Sequence, residues 1–172
     1  MFNKADIEKY FNAEKGESFI FMAIGIIGII AAIIFFFVFK TNFYKGTAVP
    51  LILLGLLLGV VGFTVYRSSD KQRVDNVYAL DLNPGALKNK EIPRMEVVMK
   101  NFIIYRYVEI ALAITGMGLF IYFRNNIDKQ FWAGLGVGLF IMSILALGAD
   151  YFAEKRGHDY LKGLNEFISS KG

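Results

Sequence analysis

Arg106 and Glu109 stand inside an apolar run, Phe102–Phe123 (FIIYRYVEIALAITGMGLFIYF), long enough to cross a bilayer. A charged side chain in hydrocarbon costs several kcal/mol, so such residues pair with one another, line a water-filled space or perform a task. Being three residues apart, the two are neighbours on one helix surface. Glu109 lies seven residues beyond Phe102, about 10 Å along the axis at 1.5 Å per residue. Asp150 sits just inside the end of the last apolar run, and Tyr105, Tyr107 and Tyr151 supply hydroxyls. Two carboxylates around the Arg106 guanidinium would form a cluster able to stay charged in lipid, because Arg binds carboxylate bidentately.

That cluster admits three uses. In the structural one, Arg106 snorkels to the headgroups and Glu109 satisfies a neighbouring helix. In a transporter, Glu109 carries a proton or cation as a buried carboxyl. In a membrane enzyme, His158, Asp159 and Asp150 do acid–base or metal work at the membrane surface. A single histidine with scattered carboxylates is a poor metal set, and neither H-E-x-x-H nor G-x-S-x-G occurs. The first two apolar runs hold no charge with which to line a path. Recognition is the class left with all the parts it needs: a non-enzymatic accessory or immunity-type protein that binds a membrane protein, a lipid or a second copy of itself. No cofactor or metal is implied. Gly85 is a lone turn glycine, and Gly116 and Gly118 lie too deep in an apolar run to cradle a phosphate.

The elements that must position these residues are legible from hydropathy. The chain has 172 residues, 55% hydrophobic and 16% aromatic. Four runs, 19–39, 47–66, 102–123 and 131–152, each approach the roughly 20 residues that span about 30 Å of hydrocarbon. The expected fold is an all-α integral membrane protein, with four transmembrane helices in one antiparallel bundle and no separate soluble domain. Residues 1–16 read as an amphipathic lead-in helix capped by Asn3, with Ile7, Tyr10 and Phe11 on one stripe. Thr47 is the expected cap of the second span, with Pro50 in its first turn. Residues 67–101 form the one sizeable non-membrane segment, from which Pro93 starts a helix running to Phe123. Residues 153–172 read as a second amphipathic helix.

Orientation follows from basic residues. The N-terminal stretch, the 67–101 segment and the C-terminal stretch hold most of the Lys and Arg, whereas the two short loops hold only Lys40, Lys45, Arg124 and Lys129. Both termini are therefore expected in the cytoplasm, of a plasma or bacterial inner membrane. The net charge of +4 reads as this topology signal; no basic cluster is interleaved with stacking aromatics, so nucleic acid is not an expected partner. Absence of cysteine excludes disulfides and thiolate chemistry. Gly55 and Gly59 form a GxxxG that permits close helix packing, within the chain or between copies.

A shift of 84 positions aligns the halves in outline: Phe39 meets Phe123, Lys40 meets Arg124, Asn42 meets Asn126 and Lys45 meets Lys129. Duplication of a helical hairpin would produce this pattern, with repeats related by an axis along the membrane normal. Under the same shift Glu109 meets Gly25, Arg106 meets Met22 and Asp150 meets Tyr66, so the intramembrane charges belong to the second half alone.

Overall fold

Asn3 opens the first helix with a reciprocal cap. Its side chain accepts from the Ala5 amide at 2.8 Å, and its own amide donates to Asp6 Oδ2 at 2.9 Å. In the computed structural model, which describes residues 2–171, this helix continues without a break as α1, Lys4–Ile34. The lead-in read as a separate 1–16 helix is thus the first turns of the first long helix. Gly16 alone does not interrupt it, since glycine inside a helix costs only about 1 kcal/mol and no proline or cap follows. A wider π turn, Phe35–Phe39, ends α1, closed by the Lys40 amide on the Phe35 carbonyl at 3.2 Å.

The second helix, α2, runs over Asn42–Leu82, capped by Thr41, whose hydroxyl accepts from the Tyr44 amide at 3.4 Å. This corrects the expected start at Thr47: the loop is only two residues long, and Pro50 lies inside the helix rather than in its first turn. The proline is buried against the last helix, where its ring packs over Gly138, a contact that offsets part of the cost of a proline in a helix interior. A single turn at Pro84–Ala86 and a π turn at Leu87–Glu91 lead into α3, Ile92–Phe123, with Pro93 in its first turn. A short 3-10 turn at Ile127–Lys129 leads into α4, Gln130–Lys171, so the tail expected over 153–172 is, through its described residues, a continuation of the last helix and not an element of its own. Among the described residues there is no strand. All four helices are long and apolar enough to cross a membrane. At 1.5 Å per residue they run about 45–65 Å, well beyond the ~30 Å of hydrocarbon, so each has a polar extension.

Glycine decides how close the helices come. α1 meets α2 at Gly25 and Gly55, where a Cβ on Gly25 would lie 2.5 Å from the Gly55 carbonyl oxygen. The GxxxG of α2 is thereby engaged inside the chain. α3 meets α4 at Gly116 and Gly136 in the same way, a Cβ on Gly116 falling 2.7 Å from the Gly136 oxygen. α2 and α4 meet at their starts: Gly46 lies against the Phe131 backbone, Gly134 against that of Phe43, and the buried Thr47 hydroxyl donates to the Gly134 carbonyl at 3.0 Å. Thr47→Val should lower stability by about 1 kcal/mol, the net worth of one buried hydrogen bond, read as a thermal-melt shift in detergent. An unshifted melt would show that the Thr47 hydrogen bonds to the Gly134 and Phe43 carbonyls contribute nothing net to stability.

Along the apolar runs the outer faces stay uncovered; Ile27, Phe37, Val60 and Ile114 are more than half exposed. The well-buried core lies elsewhere. Ile7 and Phe11 of α1, Leu80 of α2, Leu87, Met95 of α3, and Leu164 and Phe167 of α4 close around one another outside all four runs. The stripes of lead-in and tail, read from the sequence as independent amphipathic surfaces, cover each other. An apolar stripe gains by burial in protein, at about 25 cal/mol per Å² removed from water.

Candidate functional site

The sequence-selected charges meet across the α3–α4 contact, but not in the expected combination. The carboxyls of Glu109 and Asp150 lie within hydrogen-bond reach of one another. Arg106, one turn nearer the start of α3, does not sit between them; it pairs with Glu154, one turn further along α4. The offset is geometric, since Arg106 and Glu109 are three residues apart on α3 while Asp150 and Glu154 are four apart on α4. Two rungs result, a carboxyl–carboxyl rung and a guanidinium–carboxylate rung. An ionised carboxylate only accepts, so a hydrogen bond between two carboxyls needs a proton on one of them. Glu109 Oε2 is buried and finds no partner among the described residues. Tyr105 is half exposed and lines, with Asp150, a cavity among the four helices.

Two cavities flank the carboxyl rung. One, of about 220 Å³ between α3 and α4, is lined by Phe102, Arg106, Glu109, Ile110, Leu147, Asp150, Tyr151 and Glu154. The other, of about 230 Å³, lies among all four helices where the apolar runs give way to the polar extensions. Asp150 and Phe102 line both and form the wall between them.

Beyond this wall a polar network ties the extensions together. Arg94 holds the buried Glu91 through two hydrogen bonds of 2.8 and 2.7 Å, and the Tyr160 hydroxyl donates to Glu91 at 3.1 Å. Tyr160 stacks on Tyr10, ring centroids 4.1 Å apart and 6° from parallel. The Tyr10 hydroxyl reaches Glu14 at 3.2 Å, and Ser69 donates to Glu14 at 2.8 Å. Glu17 pairs with Arg156, Lys15 with Asp70 and Lys4 with Asp81. Burial pushes the Tyr10 and Tyr160 phenols up, and Glu14 beside Tyr10 and Glu91 beside Tyr160 add to it, so both remain neutral donors. Burial also raises the Glu14 carboxyl, outweighing the Ser69 hydrogen bond that lowers it. For Arg94 burial is the largest influence and acts downward, but the Glu91 hydrogen bonds and charge more than offset it, and the guanidinium stays charged.

Glu14, Glu17, Glu91, Arg94, Glu154 and Arg156 were not selected by the sequence reading. Two signals were available: Glu91 and Arg94 are i,i+3 neighbours, and Glu154 lies one turn from Asp150 on the same helix face. The enzyme trio does not converge. His158 is exposed, Asp159 lines a separate groove with Asp6 and Lys9, and Asp150 belongs to the inner wall. Among the described residues no group of three or more His, Cys, Asp or Glu is placed to hold a metal ion.

No protein-family model matches the chain, no curated protein matches it, and no solved structure matches it.

Proposed function

We propose that this is a four-span membrane protein whose helices run antiparallel as two hairpins with both termini in the cytoplasm, and that its function is recognition of another membrane protein. One observation carries the reading. The apolar stretch of α3 is the least hydrophobic of the four and also the least covered, with 11% of it buried against 33% for α4. A helix facing lipid alone should be the most apolar, since hydrocarbon offers no partner to a polar side chain. Here Tyr107 is well exposed on α3, and Arg106 and the Glu109–Asp150 rung line the 220 Å³ groove. A transmembrane helix of a second protein, bearing a polar residue opposite that rung, resolves the conflict. The chain thus acts as an accessory or immunity-type protein whose target is a membrane protein, not the bilayer alone.

The hairpin duplication belongs to the same proposal. It is supported by α2 and α4 meeting near their starts, Gly46 against the Phe131 backbone and Thr47 on the Gly134 carbonyl. The closest approaches within each hairpin, at Gly25–Gly55 and Gly116–Gly136, are not equivalent under the 84-residue shift, so the halves have since diverged.

Photo-crosslinkers placed at Tyr107 on α3 and at Val60 on α2 test the reading in native membranes. Both sites are well exposed. A discrete protein adduct is expected at Tyr107 and not at Val60, its yield falling severalfold when Glu109→Leu is added. Lipid adducts alone at both sites, an adduct of twice the chain mass, or a yield indifferent to Glu109→Leu would each defeat it. Transport by Glu109 is the competing reading, and proton or cation flux through liposomes holding the purified protein, abolished by Glu109→Gln without loss of fold, would establish it instead.

A further inference from the structure

The inner cavity has an unbalanced wall. Two cationic side chains line it, Arg94 and Arg156, and each is already held by a carboxylate, Arg94 by Glu91 and Arg156 by Glu17 through paired hydrogen bonds. That leaves Glu14 and Asp150 facing the same space with no cation of their own: Glu14 is held by the hydroxyls of Ser69 and Tyr10, Asp150 by Glu109. The Gln72 carbonyl oxygen Oε1, on a residue that lines the cavity, is buried without a partner among the described residues, which adds an unanswered acceptor. Arg156 Nε is a buried donor in the same position. Toward the apolar runs the wall changes character, with Phe21, Val61, Val65 and Phe102.

We propose that this cavity binds an amphipathic organic cation: a protonated amine whose ammonium group meets Glu14 and Asp150 and whose small apolar body lies against Val65 and Phe102. An ammonium offers only donors, which suits two carboxyls and the Gln72 oxygen, and its charge adds to the partial offset that Arg94 gives Glu14. At about 230 Å³ the space falls below the ~300 Å³ at which pockets for drug-sized ligands begin, so the apolar body is of the order of one ring. The upward displacement of the Glu14 carboxyl by burial agrees with a carboxylate that lacks a cation in the unliganded protein. This site is distinct from the α3 face that engages a partner helix, although Asp150 and Phe102 touch both spaces.

Titration calorimetry on the full chain in detergent, with phenethylamine and its neutral counterpart 2-phenylethanol as probes, tests the assignment. The amine should bind at pH 7 at least tenfold more tightly than the alcohol. Glu14→Gln keeps the shape and should weaken the amine about tenfold, equivalent to ~1.4 kcal/mol, while leaving the alcohol unchanged. Val65→Phe removes the space without touching a charge and should abolish both. If Glu14→Gln lowers the melting temperature, Asp150→Asn and Val65→Phe carry the comparison in its place. Equal affinity for amine and alcohol would reduce the cavity to an apolar hollow and overturn the proposal. So would an amine affinity unmoved by Glu14→Gln and Asp150→Asn together, or no amine binding by the parent.

Discussion

Gly134→Leu should be the most damaging single substitution in the apolar half, costing ~3 kcal/mol or more. The first turns of α2 and α4 approach until the Gly134 Cα rests on the Phe43 backbone, and a Cβ there would run into the Phe43 carbonyl. Backbone cannot rotate away as a flexible side chain can, so the helices must separate. Separation breaks the Thr47 bond to the Gly134 carbonyl and lifts Pro50 from Gly138. Overpacking by a methylene or two costs typically 1–3 kcal/mol, and a branched side chain between two backbones lies at or above the top of that range. Gly118→Ala and Gly148→Ala are the controls, because a Cβ at either meets nothing within 4 Å. Those should be neutral or stabilising by up to ~1 kcal/mol, the helix propensity of alanine over glycine. Trp132, the chain's one tryptophan, lies two residues from Gly134, so its fluorescence reports melting at this junction. Similar melting temperatures for Gly134→Leu and Gly118→Ala would refute the close α2–α4 contact.

The second large effect is expected in the polar half. Arg94→Met should cost about 3–5 kcal/mol, because it leaves the carboxylate of Glu91 buried with only the Tyr160 hydroxyl as partner. It also removes the charge that partly offsets the burial of Glu14. The double variant Glu91→Gln/Arg94→Met should recover much of that loss, since the penalty comes from an uncompensated charge and not from the missing pair itself. pH gives an independent check. Burial already holds the Glu14 carboxyl above its ordinary range, and losing the Arg94 charge that lowers it raises it further, so the folded form binds more protons and its stability falls as pH rises. The gap between Arg94→Met and the parent should therefore narrow as pH is lowered from 8 towards 5. A gap that widens on acidification, or a double variant no more stable than the single one, would show that Arg94 serves only as a packing stem over Phe11.

Residues selected by type and residues selected by geometry overlap only in part. Arg106, Glu109 and Asp150 stood out because charge in an apolar run is conspicuous without any knowledge of neighbours. Glu14, Glu91, Arg94 and Tyr160 did not, because charged and aromatic residues in a polar stretch look like a solvated face. Only when α1, α3 and α4 close on one another does that face become an interior with paired charges and stacked rings.

Hydropathy and local chemistry determined by themselves what depends on one helix at a time. Four helices long and apolar enough to cross a membrane follow from run length, and the first cap follows from Asn3 and Asp6. Tertiary structure decided everything that depends on how far one helix is displaced along another. A shift of one turn, about 5.4 Å, gives Arg106 to Glu154 and Glu109 to Asp150 in place of one shared guanidinium. It admits Pro50 to a helix interior because Gly138 lies opposite, and it turns two surface stripes, Ile7–Phe11 and Leu164–Phe167, into each other's cover. Side-chain periodicity specifies which face of a helix is apolar; the axial offset between helices arises from the packing of all four at once, and no single stretch of residues encodes it.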